Sequence, residues 1–516
     1  MSTDAWGAAS LAGTPVLVVG AGIMGAGIAQ VAAQAGHPVL LFDARDGAAA
    51  EAKAKLGGSL QALVAKGRLA PEAVQAALGR IQPIARLDSA AGVRVVVEAI
   101  IEQLAAKRAL FQQLEGIVAA DCLLATNTSS ISVTAIANGL QHRGRLVGMH
   151  FFNPVPLMKL VEVVSGLQTD VAAAEAVHAL AGAWGKVAVH CRSTPGFIVN
   201  RIARPYYAEA WALLLEQAAT PVVIDTCLRA AGFRLGPCEL MDLVGHDTNL
   251  MVTSSVYDAY CQDKRYQPSP LQREMVDAGL LGRKSGQGFY RYPEGVRSLP
   301  VAVHAAPHTA GEVTVHGQGP IADALFTAAT QALAEQGWGP ARDPQSGWTG
   351  LAIDGARLVL TDGRCTRDWV VALGRADVAL FDRPLALPSP PGTALAYTVA
   401  PAASAAWQQQ APAWLAALGF SPLPVADSPG LVVARTVAML INEAADAVLQ
   451  GVCTTAGANA AMTLGVNYPE GPFVWLARWP VDQLLALLDA LDAQYRGERY
   501  RSSPWLLRQP RPQAGA

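Results

Sequence analysis

Only 16% of the 516 residues are charged and only 6% are aromatic. The 39 basic and 41 acidic side chains leave a formal net charge of −2. No basic surplus exists to hold a nucleic acid or an anionic membrane, so neither is expected as a partner. The seven cysteines (Cys122, Cys191, Cys227, Cys238, Cys261, Cys365 and Cys453) form no C-x-x-C pair and are odd in number. That pattern argues against a disulfide framework or a zinc site, so reduced, mostly buried thiols and no metal are expected. No 18-residue stretch is free of both charge and turn breakers, as a bilayer span requires. Nor does a Lys or Arg precede the first apolar run, as in a secretory signal. The chain reads as cytoplasmic and soluble. What it has in quantity is apolar material: 52% hydrophobic residues, enough to fill the cores of the several domains its length suggests.

Short apolar runs at 16–19, 39–42, 93–97, 123–125 and 146–149 alternate with helical stretches at 23–35, 48–66, 71–78 and 104–118. Strands alternating with helices predict a parallel sheet covered on both faces. We therefore expect a mobile leader over 1–13 and an α/β Rossmann-type doubly wound sheet domain over 14–193. Pro195-Gly196-Phe197 then opens an all-α domain over 194–292, and a Pro- and Gly-rich connection near 293–300 follows. The segment Pro195-Gly196-Phe197-Ile198-Val199-Asn200-Arg201 returns as Pro429-Gly430-Leu431-Val432-Val433-Ala434-Arg435, a shift of 234 residues. The same shift carries Glu209-Ala210 onto Glu443-Ala444, so the helical domain is duplicated, with its second all-α copy over 426–516. Between the copies, Gly317-Gln318-Gly319-Pro320-Ile321-Ala322 echoes a strand–turn–helix. It marks 293–425 as a degenerate α/β, Rossmann-like adapter.

The first such turn, Gly20-Ala21-Gly22-Ile23-Met24-Gly25, lies between a predicted strand and a predicted helix. Its glycines permit, in order, a tight turn, close approach of backbone to a pyrophosphate, and close helix–strand packing. The helix N-terminus offers the phosphates free N–H groups and partial positive charge. Asp43, 23 residues after Gly20 at the end of the next strand, would accept both ribose hydroxyls and repel a 2′-phosphate. NAD is favoured over NADP.

Downstream stand Asn127-Thr128-Ser129-Ser130, His150-Phe151-Phe152-Asn153-Pro154, Glu162 and Asn200. With the glycine turn, Val97-Glu98-Ala99-Ile100 and Gly286-Gln287-Gly288-Phe289-Tyr290, these segments resemble the L-3-hydroxyacyl-CoA dehydrogenase family over about 15–292. The second helical copy resembles the family's long bacterial members. Oxidising a secondary alcohol needs a base, and a histidine, whose unperturbed pKa is about 6.5, suits the task. The resemblance implies His150 as the acid/base and Glu162 as its partner, with Ser129 and Asn200 holding the substrate oxygen. It implies Glu102, Lys107, Asn153 and Lys284 around the cofactor, NAD, and an acyl-CoA substrate. From the long form it implies 3-hydroxyadipyl-CoA of phenylacetate breakdown first and 3-hydroxybutyryl-CoA second. The basic turn Lys66-Gly67-Arg68 suggests Lys66 or Arg68 for the coenzyme A phosphates.

Each of these residues also has an ordinary structural role open to it. Ser129 would cap a helix near Ser132, Glu162 would be a solvated or ion-paired side chain, and Asn200 would bridge within its own helix. A redox-inactive NAD-binding structural protein is the competing reading, and a lysine-based β-hydroxyacid dehydrogenase a third. The second half carries Ala434 where the first has Asn200, repeats neither the Asn-Thr-Ser-Ser nor the His-Phe-Phe-Asn-Pro segment, and shows no strand-end Asp at the right spacing. One active site per chain is expected. The chain is then a monomeric pseudo-dimer or a homo-oligomer built from such chains.

Overall fold

The computed structural model describes residues 11–296, 306–334 and 337–510, with Trp6, Leu299 and His304. The rest of the expected leader, part of the connection near 293–300 and residues 511–516 lie outside the described residues. The chain divides into two compact units: Met1–Arg201 with Gln450–Val466, and Ile202–Leu449 with Asn467–Ala516. This partition cuts across the expected domain limits, because a piece of the second helical copy belongs to the first unit. Among the described residues no helix is long and apolar enough to cross a membrane. All seven cysteines are unpaired and five are buried.

The first unit is built on an eight-stranded sheet of order β3-β2-β1-β4-β5-β6-β7-β8. Its strands are β1 Val16–Val19, β2 Val39–Phe42, β3 Ile81–Pro83, β4 Val95–Glu98, β5 Leu123–Thr126, β6 Leu146–Phe151, β7 Leu160–Ser165 and β8 Val187–Arg192. Helices α1 (Ile23–Gln34) and α2 (Ala48–Ala65) follow β1 and β2. β1, β4, β5 and β6 are buried along their whole length, which is why they read as unbroken apolar runs. The sheet is not wholly parallel: β7 runs antiparallel to β6, and β8 lies parallel to β7. Trp6 and Leu11, within the expected leader, are buried in this unit's core.

The second unit holds a seven-stranded sheet of order β10-β9-β11-β12-β13-β14-β15. Its strands are β9 Val313–His316, β10 Ala341–Asp343, β11 Gly350–Ile353, β12 Ala356–Leu360, β13 Val378–Phe381, β14 Thr393–Val399 and β15 Phe420–Pro424. β13, β14 and β15 repeat the antiparallel-then-parallel pairing of β6, β7 and β8. An antiparallel β11–β12 hairpin stands where the first sheet has a strand–helix–strand crossover, so this sheet is a shortened version of the first. The second sheet has a strand-end aspartate outside the expected spacing: Asp343 closes β10, parallel to β9, and pairs with His316 at 3.3 Å. The longer β9-to-β10 connection moves it out of the spacing a motif search requires.

The duplication is exact enough to see in single bonds. Arg192 N–H donates to the Val452 carbonyl at 3.0 Å in the first unit; 234 residues on, Ala426 N–H donates to the Ala218 carbonyl at 2.8 Å in the second. Phe197 and its counterpart Leu431 both hold left-handed backbone, φ 48° and 51°. A β-carbon makes that conformation cost about 1–2 kcal/mol. Within the second unit the helix Arg204–Leu215 packs on its copy, Val433–Leu449. Glu209 is gripped by Arg499 and Tyr500, and Glu443 by the residues 234 earlier, Arg265 and Tyr266.

Candidate active site

The glycine turn sits at the carboxyl end of β1, the sheet edge where open α/β folds bind ligands. Gly20 has φ +102°, and a β-carbon there would lie 2.4 Å from the Ala99 carbonyl oxygen. At Gly25 it would lie 1.7 Å from the carbonyl oxygen of Gly20. At Gly22 it would meet nothing within 4 Å. Two glycines therefore serve packing, and the middle one leaves open the space a pyrophosphate would take. Ile23, the first residue of α1, is 79% exposed, and Met24 behind it packs against the core. The Asp43 carboxylate accepts the amides of Ala21 and Arg45 at 2.7 and 2.9 Å, which fixes it beside the turn. These features fit NAD.

A cavity of about 580 Å³ runs from Ala21, Gly22 and Ile23 past Asn153 to one face of α2. Glu51, Lys55 and Ser59 line it from that side, recurring at the helical period, with Arg45 just before the helix. Lys66 and Arg68 are exposed beyond the far end of α2, about 16 Å from Lys55 at 1.5 Å per residue. The structure thus offers Lys55, which the basic turn overshadowed in the sequence.

His150 lies near the end of β6, directly opposite Glu162 on antiparallel β7. Its Nδ1 is 2.5 Å from Glu162 Oε2, and both side chains are buried. The other carboxylate oxygen accepts the amides of Ile198 and Val199 at 3.0 and 2.9 Å. Those amides open the short helix Val199–Ile202, so the glutamate is clamped from behind while it faces the imidazole. Phe152 and Phe197 flank the ring at centroid distances of 4.5 and 5.8 Å. With Nδ1 taken by the carboxylate, Nε2 remains to exchange a proton with a ligand.

Asn200 continues the same helix, and its amide approaches the Ser129 carbonyl at 3.5 Å. Ser132, not Ser129, caps the helix Val133–Ala137. Asn127, which sequence reading quoted without a role, accepts the Phe151 amide at 2.9 Å and ties β5 to the histidine strand. Glu102 accepts the Thr128 hydroxyl at 2.6 Å and the Ser129 amide at 2.9 Å. Burial pushes its carboxyl up, but Lys107 and these hydrogen bonds outweigh that and hold it below the ordinary range. Lys107 is itself buried, 2.6 Å from Glu98 and 3.2 Å from Glu102. Glu98 also accepts the Thr126 hydroxyl and the Ile100 amide. Lys107 thus ties Glu98 at the end of β4 to Glu102 in the loop that follows. Glu98 was missed as a site residue, although a lone carboxylate closing an apolar strand is a signal. Lys284 belongs to the second unit, where it pairs with Asp247.

Three family models match the chain. That of the 3-hydroxyacyl-CoA dehydrogenase NAD-binding domain matches 15–194. The C-terminal-domain model matches twice, at 196–292 and 430–509. The reduced Rossmann-fold domain of 3-hydroxybutyryl-CoA dehydrogenase matches 358–429. The chain is 41% identical over 495 residues to a 3-hydroxyadipyl-CoA dehydrogenase of Escherichia coli K12, covering 96% of each protein. A probable 3-hydroxybutyryl-CoA dehydrogenase of Deinococcus radiodurans is 45% identical over 53% of this chain and 99% of its own. Among solved structures, a 3-hydroxybutyryl-CoA dehydrogenase of Escherichia coli K12 has a TM-score of 0.86 at 40% identity, over 96% of this chain and 97% of that one.

Proposed function

Because the chain belongs to the 3-hydroxyacyl-CoA dehydrogenase family, we propose that His150 is its catalytic base and Glu162 the group that orients and charges it. The protein is an NAD-dependent 3-hydroxyacyl-CoA dehydrogenase. NAD, when bound, accepts the hydride from the carbinol carbon. Nε2 of His150 takes the hydroxyl proton, and Glu162 stabilises the imidazolium that results. Ser129 and Asn200 hold the substrate oxygen, and Asp43 the adenosine ribose. The observation that carries this reading is the buried His150–Glu162 pair at 2.5 Å, with its carboxylate locked by two backbone amides. General acid–base transfer of this kind is worth about 10²–10⁴-fold.

We assign the coenzyme A moiety to the α2 face of the cavity, with Lys55 rather than Lys66 or Arg68 meeting its phosphates. 3-Hydroxyadipyl-CoA is the first choice of substrate, on the full-length likeness to the enzyme so named, and 3-hydroxybutyryl-CoA the second. His150→Ala should abolish turnover while calorimetry still finds one NAD per chain with unchanged affinity; retained turnover refutes the assignment. A kcat/KM for 3-hydroxyadipyl-CoA no greater than for its uncharged six-carbon analogue removes the adipyl preference.

A further inference from the structure

The second sheet has its own cleft at the carboxyl edge, where β9, β12 and β13 end. A cavity of about 330 Å³ opens there, lined by Trp348, Thr361, Arg383, Trp479 and Leu487, with Gln318, Gln345 and Gln483 around it. A second cavity of about 180 Å³ shares Arg383 and Trp479 with it. Only two charged side chains line the larger space, Asp362 and Arg383. Asp362 is neutralised by Arg364, at 2.7 Å. Arg383 is different. It is only 7% exposed, its guanidinium lies 4.0 Å from the Trp479 ring centroid, and among the described residues its side chain has no hydrogen bond or ion pair.

The nearest carboxylate, Asp382, does not fill that role. Its oxygens are taken by the amides of Arg383, Val432, Val433 and Ala434 at 2.7 to 2.9 Å. Burial drags the Arg383 guanidinium down to about 9 even though Asp382 works the other way. A buried cation without a partner carries an uncompensated desolvation cost, which an entering anion relieves. Trp348, half-buried at the cleft, offers a flat apolar surface to the body of such a ligand, while Trp479 backs the guanidinium.

We propose that this cleft is a second ligand site, in which Arg383, backed by Trp479, binds the anionic group of a small molecule whose flat or apolar body packs on Trp348. The site is distinct from the dehydrogenase centre of the first sheet and rests on none of the assignments made there. Its volume suits a single-ring ligand, whereas the cavity beside the first glycine turn is larger. The anion is a carboxylate or a phosphate monoester, and the probes separate the two.

Titrating the full-length protein with benzoate and with phenyl phosphate, while following tryptophan fluorescence, tests this. At least one probe should saturate with a submillimolar Kd, and the better one identifies the anion class. Arg383→Gln should weaken that probe at least tenfold, and Arg383→Lys less, while NAD-dependent turnover stays within twofold of wild type. Leu487→Trp, which fills the cavity and leaves the cation in place, should abolish probe binding if Arg383→Gln fails to fold. Absence of saturable binding by either probe to wild type overturns the proposal. So does equal affinity of the probe for wild type and for the folded variants.

Discussion

Replacing Glu162 by Gln separates the two tasks of one side chain. Oε1 accepts the Ile198 and Val199 amides, and Oε2 faces His150 Nδ1 at 2.5 Å. A glutamine placed with its oxygen on the amides must present its NH₂ group to Nδ1. Two donors then face each other unless the ring proton moves to Nε2. That tautomer puts a proton on the atom that should receive one, and the negative charge that stabilises the imidazolium is gone. We expect kcat to fall by about 10²–10⁴, or roughly 3–5.5 kcal/mol of barrier. Stability should fall by less, about 1–3 kcal/mol, because the amides keep an acceptor and lose only its charge. NAD affinity, set at the other end of the sheet edge, should stay within about threefold. Steady-state NADH formation, NAD calorimetry and urea unfolding measure the three quantities. A folded variant that binds NAD and keeps more than a tenth of the wild-type kcat refutes the dyad.

The glycine turn supplies a matched pair: Gly25→Ala drives a β-carbon to 1.7 Å from a backbone oxygen and should destabilise the first unit, whereas Gly22→Ala meets open space and should fold. The second variant should nonetheless lose at least tenfold in NAD affinity by calorimetry, since the added methyl occupies the pyrophosphate's place. In the second unit, burial pushes the Glu209 carboxyl up, but Arg499 and Arg435 outweigh it and hold it below its ordinary value of 4.5. A depressed carboxyl contributes stability that is present above its unfolded pKa and lost as pH falls through the folded one. Glu209→Gln should therefore cost about 3–5 kcal/mol near neutrality by urea unfolding, with the gap to wild type closing in acid; a gap independent of pH refutes the ion-pair account.

Which parts of this were legible in the sequence follows from how each part is buried. β1, β4, β5 and β6 are covered on both faces and stand out as apolar runs. β7 was not read as a strand, because Glu162 interrupts Leu160-Val161 and Val163-Val164 with a charge that no pattern allows at a fully buried position. The carboxylate is tolerated there only because the imidazole and two amides satisfy it, and those partners come from 12 and 36 residues or more away. Lys66 and Arg68 drew notice as a basic turn, but the cavity runs along α2 only as far as Ser59, and the lysine within that stretch is Lys55. The repeat was visible because its register holds at 234 over most of the helical copies, with Gly236-Pro237 returning one residue late as Gly471-Pro472. It was lost in the second sheet, where a hairpin replaces a crossover and the connection to Asp343 lengthens.

The two sheets meet one requirement in two ways, and the difference leaves a histidine beside the cap only in the first. Each must cap the amides that open a helical copy: Ile198 and Val199 in the first, Val432 and Val433 in the second. The first does so with Glu162 from β7, which leaves the facing place on β6 to His150. In the second, Asp382 follows β13 in the register that His150 holds on β6, and it makes the cap itself. Its amide bonds the carbonyl of Ala396, which stands where β7 has its glutamate. The cap is therefore met from the histidine's own place, and that place cannot also hold a base. A scaffold needs the cap alone, so this arrangement keeps the fold while removing the proton acceptor. The next residue, Arg383, is then the group that faces the cleft. A carboxylate behind and a cation in front suit the binding of an anion, not the removal of a proton.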